Sequence, residues 1–189
     1  MKGDGEVGGG TGEFLIRPAS DGDLDVIAGF EIDIARASFG DEAIEDAALH
    51  RKRAAAALGK PGEVTLVAVA VRADGEAVQG DGEAGGGEPV GWAWLSGRTN
   101  SLTGARYGNF RSLATADIPG RGAVAELLMA AVVRAAGEAG YTHLTGKTHA
   151  RNLGMRALYR KFGFEATHLT MEWRPGTGTA AGPGAEPGR

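Results

Sequence analysis

Two tracts of the chain carry residues whose types and spacing suit chemistry. One runs from Asn152 to Phe164, with Tyr159 seven residues after the asparagine. The other lies upstream and reads Pro119-Gly-Arg-Gly-Ala-Val124. A tyrosine phenol, with a pKa of about 10, is a proton donor that stays protonated at neutral pH. A glycine-bearing turn that opens an apolar helix suits the binding of a phosphate group.

The upstream tract predicts a phosphate site for a physical reason. The first backbone amides of a helix have no partners within the helix, and the helix dipole adds partial positive charge there. Gly120 and Gly122 allow close approach of a ligand to the backbone, and Arg121 adds a mobile charge. An ordinary loop before a surface helix remains an alternative. A dinucleotide-binding fingerprint would need a third glycine, which this tract lacks.

The spacing of apolar residues predicts the elements that position these tracts. In chain order we expect a strand over 14–18, a helix from Ser20 to Phe39, a helix from Asp41 to Leu58, strands over 64–71, 90–95 and 107–114, a helix from the 119–122 turn to Ala139, a strand over 142–148, a helix over 152–162 and a strand over 164–173. Val90, Trp92 and Trp94 should share one face of their strand. This order indicates an α/β or α+β fold, with helices on both faces of a mixed sheet.

Composition indicates one domain with appendages. We expect a disordered tail over 1–12, a domain over 13–174 and a disordered Gly/Pro-rich tail over 175–189. Residues 73–89 are rich in glycine and acidic side chains, which predicts a flexible exposed loop inside the domain. The 189-residue chain is 42% hydrophobic, enough for a real core.

The chain contains no cysteine, which excludes disulfides, thiolate metal sites and cysteine nucleophiles, and we predict no metal site. Its apolar runs are too short to span a bilayer, and its first residues lack the apolar segment of a secretory signal. We therefore expect a cytoplasmic protein without a membrane partner. The net charge is −4 and no basic run is present, which argues against nucleic acid as a partner.

The charge is divided unevenly along the chain. Residues 1–100 hold 9 basic and 18 acidic side chains, whereas residues 101–189 hold 11 basic and 6 acidic ones. One interpretation is solvated surface in both halves. The other places an anionic cofactor on the C-terminal half and a cationic substrate near the N-terminal half.

The Asn152 tract resembles Asn-x-x-Ala-x-x-Leu-Tyr-x-Lys-x-Gly-Phe of the GNAT superfamily of N-acetyltransferases, with Met155 in place of the alanine. The upstream tract is similar to the superfamily's Gln/Arg-x-x-Gly-x-Gly/Ala turn, although Pro119 and Val124 depart from it. The resemblance implies a mostly antiparallel twisted sheet with helices on both faces, and acetyl-CoA as co-substrate. It also implies cofactor contacts from Ala114, Gly120, Arg121, Gly122, Ala123, Val124 and Asn152, and a place near the cofactor sulfur for Tyr159.

Acyl transfer from a thioester to an amine expels a thiolate, and Tyr159 is the candidate acid that protonates it. A backbone amide near Ala114 would meet the oxyanion, as the resemblance implies. His149 and Asp117 are candidate bases, but we favour a route through water. Asp33, Glu42 and Glu45 are candidates for attracting a cation, and Trp92 and Trp94 are expected in the core or the pocket wall.

The sequence thus favours an N-acetyltransferase that acts on a small amine or an exposed protein amine. Pro119 and Val124 keep a second hypothesis open, a catalytically weakened acyl-CoA-binding sensor or regulatory module. A third is a nucleotide-binding protein with an unrelated fold. The oligomeric state, including a homodimer, is left open.

Overall fold

The structure is a computed structural model that describes residues 13–71 and 87–168, with the backbone alone at Glu13. The two predicted tails, residues 73–86 of the predicted loop and residues 169–173 of the last predicted strand lie outside these ranges. No helix in the described part of the chain is long and apolar enough to cross a membrane.

Five strands form one sheet in the order β1-β2-β3-β4-β5. They are β1 (Glu13–Pro18), β2 (Glu63–Val71), β3 (Pro89–Thr99), β4 (Arg106–Thr115) and β5 (Leu144–Gly146). The first four strands pair antiparallel, and β4 pairs with β5 in parallel. The predicted mostly antiparallel sheet is confirmed.

Four α-helices accompany the sheet: α1 (Leu24–Phe39), α2 (Ala47–Ala55), α3 (Arg121–Glu138) and α4 (Leu153–Lys161). Short 3-10 turns at Asp21–Asp23 and Gly40–Glu42 flank α1. Before α1, the Asp23 carboxylate accepts hydrogen bonds from the Ser20 amide (2.7 Å) and hydroxyl (2.9 Å). The sequence placed this helix start correctly because Ser20 and the following acidic residues are typical of one.

The helices lie on both faces of the sheet, and a hydrophobic core fills each side. On one side, α1 and α2 cover the face that carries Val67, Val69, Trp92 and Trp94. On the other, α3 and α4 cover the face that carries Ala68, Ala93, Leu95 and Phe110. We call these the α1/α2 face and the α3/α4 face. The predicted fold class is confirmed.

Two of the predicted elements begin or point differently in the structure. Helix α2 begins at Ala47 rather than Asp41, because the Asp46 side chain accepts the Leu49 amide (3.1 Å) and caps the helix there. Val90 packs on the α3/α4 face instead of beside Trp92. A bulge opposite Ala68 and Val69 inserts Val90 as an extra residue, which turns its side chain over.

The ends of the last predicted strands also differ. Strand β5 covers only Leu144–Gly146 of the predicted 142–148, and it stops where it diverges from β4. Residues 164–168 form no strand.

Candidate functional site

The parallel pair β4 and β5 brings the two sequence tracts together. Strand β4 leads into α3 at Gly120, and β5 leads into α4 at Asn152. Because the carboxyl ends of parallel neighbours lie at the same edge of a sheet, the starts of both helices meet there. Both helices pack on the α3/α4 face, and the Lys161 ammonium joins the Glu126 carboxylate across them.

Between these helices the two strands separate. Gly108, Asn109 and Phe110 pair with Leu144, Thr145 and Gly146, and no further pairing with β5 follows along β4. Strand β4 nevertheless continues to Thr115. From residue 111 onward, no described residue pairs with the outer edge of β4. This open edge lies between the segments that lead to the two helix starts.

A bulge at Arg111 decides which amides face that open edge. Leu95 pairs with Phe110 but Trp94 pairs with Ser112, so Arg111 is an extra residue. Before the bulge, Gly108 donates outward to the His143 carbonyl (3.0 Å). After it, Ala116 donates inward to the Val90 carbonyl (2.9 Å).

Because amides alternate along a strand, Ala114 also directs its amide toward β3. Leu113 and Thr115 direct theirs outward. The outward amides nearest to the predicted position at Ala114 are therefore those of its two neighbours.

The start of α3 is formed by a type II turn. The Arg121 amide donates to the Ile118 carbonyl (3.2 Å), and Gly120 has φ 83 and ψ 4. Proline at the second position and glycine at the third are the residues that this turn prefers, so Pro119 has a structural reason. Pro119, which departs from the expected motif, thus favours the conformation of this turn.

Two backbone amides at this turn remain available to a ligand. The amides of Ala123 and Val124 are not among them, because they donate to the Gly120 carbonyl at 2.8 and 3.2 Å. The amides of Gly120 and Gly122 donate to no backbone acceptor of the described chain. A Cβ added at Gly122 would meet no atom within 4 Å, so the space beside this amide is open.

The side chains around this turn have separate roles. Val124 is fully buried in the core of the α3/α4 face, so its bulk lies away from the open amides. Arg121 is exposed and pairs with Asp117 (2.7 Å). That pair places Asp117 beside the helix start.

Asn152 caps α4, because its side-chain oxygen accepts the Met155 amide (2.9 Å). The cap uses only the oxygen, and no described residue bonds the side-chain NH₂ group. Arg156 donates to the Ala150 carbonyl (3.1 Å) and braces the segment before the helix. The NH₂ group of Asn152 is therefore free to make the predicted contact with a cofactor.

Tyr159 lies over the last paired residues of β4 and β5. Its ring meets Phe110 edge-on, with centroids 6.1 Å apart, and lies 4.8 Å from the Phe164 ring centroid. Beneath it is Gly146, where an added Cβ would lie 2.6 Å from Tyr159 Cζ. The phenol therefore sits where the two strands begin to separate. Sequence reasoning did not identify Gly146, although a glycine within a strand is the signal of such an approach.

Burial sets the protonation of this phenol. Tyr159 is 9% exposed, and desolvation raises its pKa to about 12. No described residue accepts a hydrogen bond from its hydroxyl. The proton is thus held at neutral pH and is available to a ligand.

The remaining candidate residues lie elsewhere. The exposed His149 accepts the Arg151 amide through Nδ1 (3.1 Å), in the segment before α4. Arg36 forms an ion pair with Glu45 (2.8 Å) and lies 3.8 Å from Asp33, so neither carboxylate is without a cationic neighbour. Glu42 lies in the 3-10 turn after α1. Trp92 and Trp94 are buried in the core, which was one of the two positions expected for them.

Comparisons with known proteins agree with this arrangement. The sequence profile of the acetyltransferase (GNAT) family matches residues 56–164. No curated protein matches the chain.

Solved structures with the same fold share little sequence with it. Aminoglycoside N-acetyltransferase AAC(6')-Iy, solved in complex with CoA, is 20% identical over 86% of this chain and 95% of its own, with a TM-score of 0.62. Ribosomal-protein-alanine N-acetyltransferase from Brucella melitensis biovar Abortus 2308 is 19% identical over 86% and 99%, with a TM-score of 0.57. A transcriptional regulator from Bacillus halodurans C-125 is 17% identical over 86% and 99%, with a TM-score of 0.63.

Proposed function

Because this chain belongs to the acetyltransferase (GNAT) family, we propose that it moves an acetyl group from acetyl-CoA to a primary amine by direct transfer. One observation carries the proposal. A buried, protonated phenol sits where β4 and β5 separate, and the two strands lead into α3, which has two free amides at its start, and α4, which has the free NH₂ group of Asn152. The acceptor is a small amine or an exposed amine of a protein.

The residues present fit the diphosphate and the pantetheine arm of coenzyme A. The amides of Gly120 and Gly122 suit the diphosphate, and Arg121 adds charge beside them. The open amides of Leu113 and Thr115 suit an extended arm, because an unpaired strand edge presents N–H donors along its length. The NH₂ group of Asn152 is placed to donate from the opposite side. Ala123 and Val124 contribute through the backbone at most, since both amides already bond within the turn.

When bound, acetyl-CoA supplies an acetyl thioester. Tyr159 Oη holds the proton that neutralises the departing sulfur as the carbon–nitrogen bond forms and the carbon–sulfur bond breaks. Of the outward amides of Leu113 and Thr115, the one that the arm leaves free would stabilise the negative charge that develops on the carbonyl oxygen.

The amine must lose a proton before it attacks. At pH 7 this costs about 4–5 kcal/mol for an alkylamine with a pKa of about 10.4. Asp117 pairs with Arg121 at the helix start, and His149 is exposed before α4. Neither lies at the phenol, so we keep the route through water.

The decisive experiment compares wild type with Tyr159→Phe. We measure free thiol released from acetyl-CoA with a panel of amines, and acetyl-CoA affinity by titration calorimetry. The variant should lose about 10²–10⁴-fold in kcat, because a positioned acid contributes that much. Its acetyl-CoA affinity should stay within about threefold, since the phenol donates no bond that holds the fold.

Tyr141→Phe is the matched control, because its hydroxyl donates to the Gly62 carbonyl (3.3 Å), just before β2. Equal turnover in Tyr159→Phe and wild type would remove the phenol as the acid. Binding of acetyl-CoA without thiol release for any amine would favour the sensor hypothesis instead. Binding of ATP or NAD in place of acetyl-CoA would overturn both.

A further inference from the structure

Helix α1 presents one carboxylate that differs from its other acids. Asp25 pairs with Arg51 (2.8 Å), and Asp33 lies 3.8 Å from Arg36. Glu31 forms no ion pair with any described residue. Its Oε1 accepts the indole N–H of Trp92 (2.7 Å), and its second oxygen has no described partner. A half-buried carboxylate with one open oxygen is suited to binding a cation.

An unpaired guanidinium lies next to it on the same face of the sheet. Arg111, the bulge residue of β4, places Cζ 4.4 Å from the ring centroid of Trp94. It is exposed and forms no ion pair with a described carboxylate. Glu31 accepts a hydrogen bond from Trp92 and Arg111 stacks on Trp94. The centroids of the two tryptophan rings lie 6.3 Å apart. Stacking on an aromatic ring fixes the guanidinium plane while leaving its N–H groups free to bind an anion.

These charges flank the proposed acyl site. Trp92 pairs with Ala114 and Trp94 pairs with Ser112, so both tryptophans adjoin the segment 111–115 of β4. The outer edge of that segment is the open one. Glu31 and Arg111 do not pair with each other within 4 Å, which leaves each free for a ligand.

We propose that Glu31 and Arg111 form the acceptor site, and that the acceptor is a small amine that also carries a carboxylate. Glu31 binds its ammonium group, and Arg111 binds its carboxylate. The inference rests on the proposed acetyl transfer and names the substrate class. It adds a carboxylate to the cationic acceptor that the charge of the N-terminal half suggested, and it assigns the ammonium to Glu31, because Arg36 lies 2.8 Å from Glu45 and 3.8 Å from Asp33.

The chemical step leaves both charges on the protein unchanged. The bound ammonium loses one proton to water, its nitrogen forms a bond to the acetyl carbon, and the carbon–sulfur bond breaks. The sulfur takes the Tyr159 proton, and the second proton that the nitrogen loses on becoming an amide returns to the phenol through water. The product is an N-acetylated carboxylate, and it no longer carries the ammonium that Glu31 binds, which favours release.

The test uses pairs of acceptors that differ only in the carboxylate. The pairs are phenylalanine with 2-phenylethylamine, lysine with cadaverine, and glutamate with 4-aminobutyrate, each assayed with acetyl-CoA by thiol release. The last pair removes only the carboxylate next to the amine, because 4-aminobutyrate keeps the distant carboxylate of glutamate. We expect kcat/KM to favour the amino acid of at least one pair by about 10- to 100-fold, the effect of losing a charge-assisted contact.

Two variants assign the preference to the residues. In Arg111→Gln, the ratio of kcat/KM between the amino acid and its partner amine should fall by about tenfold or more. Arg111→Glu should invert the ratio. Glu31→Gln keeps an oxygen for the Trp92 indole, and it should raise KM for both members of a pair by about tenfold. Arg134→Gln, on α3 beside Glu138 (3.9 Å), is the control and should leave the ratio unchanged.

The outcomes separate this inference from the proposed function. Thiol release with equal preference for both members of every pair, or an unchanged ratio in Arg111→Gln, would overturn the acceptor site and leave acetyl transfer standing. No thiol release with any amine would overturn both. Thermal midpoints of the variants show whether folding is retained. An inverted kcat/KM ratio in Arg111→Glu cannot come from loss of folded protein, because unfolding lowers the activity towards both members of a pair equally.

Discussion

At the scale of single residues, the protonation of Tyr159 links stability to pH. Burial raises its pKa to about 12 in the folded protein, against about 10 in the unfolded chain. The unfolded chain therefore loses this proton first as the pH rises. The stabilising contribution is complete below about pH 10 and is lost between about pH 10 and 12.

We predict that Tyr159→Phe removes this part of the alkaline destabilisation. Urea unfolding at about pH 9 and about pH 11 should show a smaller loss of free energy of unfolding in the variant than in wild type. The difference absorbance of tyrosinate between wild type and variant should appear near pH 12. A difference that appears near pH 10 instead would mean that the phenol is not desolvated.

A second prediction concerns the glycine beneath the phenol. An alanine Cβ at Gly146 would lie 2.6 Å from Tyr159 Cζ, so Gly146→Ala must displace the ring. We expect thiol release to fall by about 10²-fold or more while the sheet remains folded. Gly137→Ala on α3, where an added Cβ meets no atom within 4 Å, is the matched control and should stabilise by about 0.5–1 kcal/mol. Unchanged turnover in Gly146→Ala would show that the position of the ring is irrelevant.

At the scale of secondary structure, variants of two similar helix caps distinguish an effect on folding from an effect on binding. Asn152 caps α4 and Asp46 caps α2, each by accepting the amide three residues later. Replacing either by alanine should cost about 1 kcal/mol of stability. Only Asn152→Ala should also weaken acetyl-CoA binding, by about tenfold, because its NH₂ group is the one placed at the proposed site. Calorimetry on both variants checks this, and equal affinities would restrict Asn152 to capping.

The elements themselves were largely predictable, because each has a local signal. The β-branched run of β2, the apolar stripe of α3 and the turn residues before it all indicate their structure without knowledge of the rest of the chain. The predicted start of α2 was wrong, since Asp41 and Asp46 are equally good helix caps by sequence. Only the packing of the chain selects Asp46.

The features of the site that could not be predicted from the sequence depend on contacts between residues far apart in the chain. The Arg111 bulge exists only in the register of β4 against β3, and no single strand pattern predicts it. That bulge moves the outward amides from Ala114 to Leu113 and Thr115. Glu31 reads as one more acid on α1, and only the fold brings it to Trp92, 61 residues away. The tyrosine tract, by contrast, was found because its spacing lies within one helix.

At the scale of the whole molecule, the division of charge agrees with the division of faces. The elements after residue 100 include β4, α3, β5 and α4, which build the proposed coenzyme site, and that part of the chain carries a net charge of +5. Helices α1 and α2 come from the first part, with a net charge of −9. The positive charge of the later part of the chain supports the proposal that the anionic coenzyme binds there.

This arrangement predicts how acetyl-CoA stabilises the protein. A ligand that binds only the folded state at about 100 times its Kd adds about 2.7 kcal/mol. For a domain of this size, that raises the thermal midpoint by about 5–10 °C. The increase should be reproduced by CoA, because the proposed contacts to the amides of Gly120 and Gly122 do not involve the acetyl group.

The same contacts predict a dependence on salt. Raising NaCl from about 50 mM to about 500 mM should weaken acetyl-CoA binding severalfold, because exposed charges such as Arg121 are screened. Acetyl-pantetheine, which lacks the nucleotide and its phosphates, is the matched ligand, and its weaker binding should change little. Titrations of both ligands at the two salt concentrations test this. If acetyl-pantetheine bound as tightly as acetyl-CoA, the start of α3 would hold no phosphate, and the coenzyme would have to lie elsewhere on the sheet.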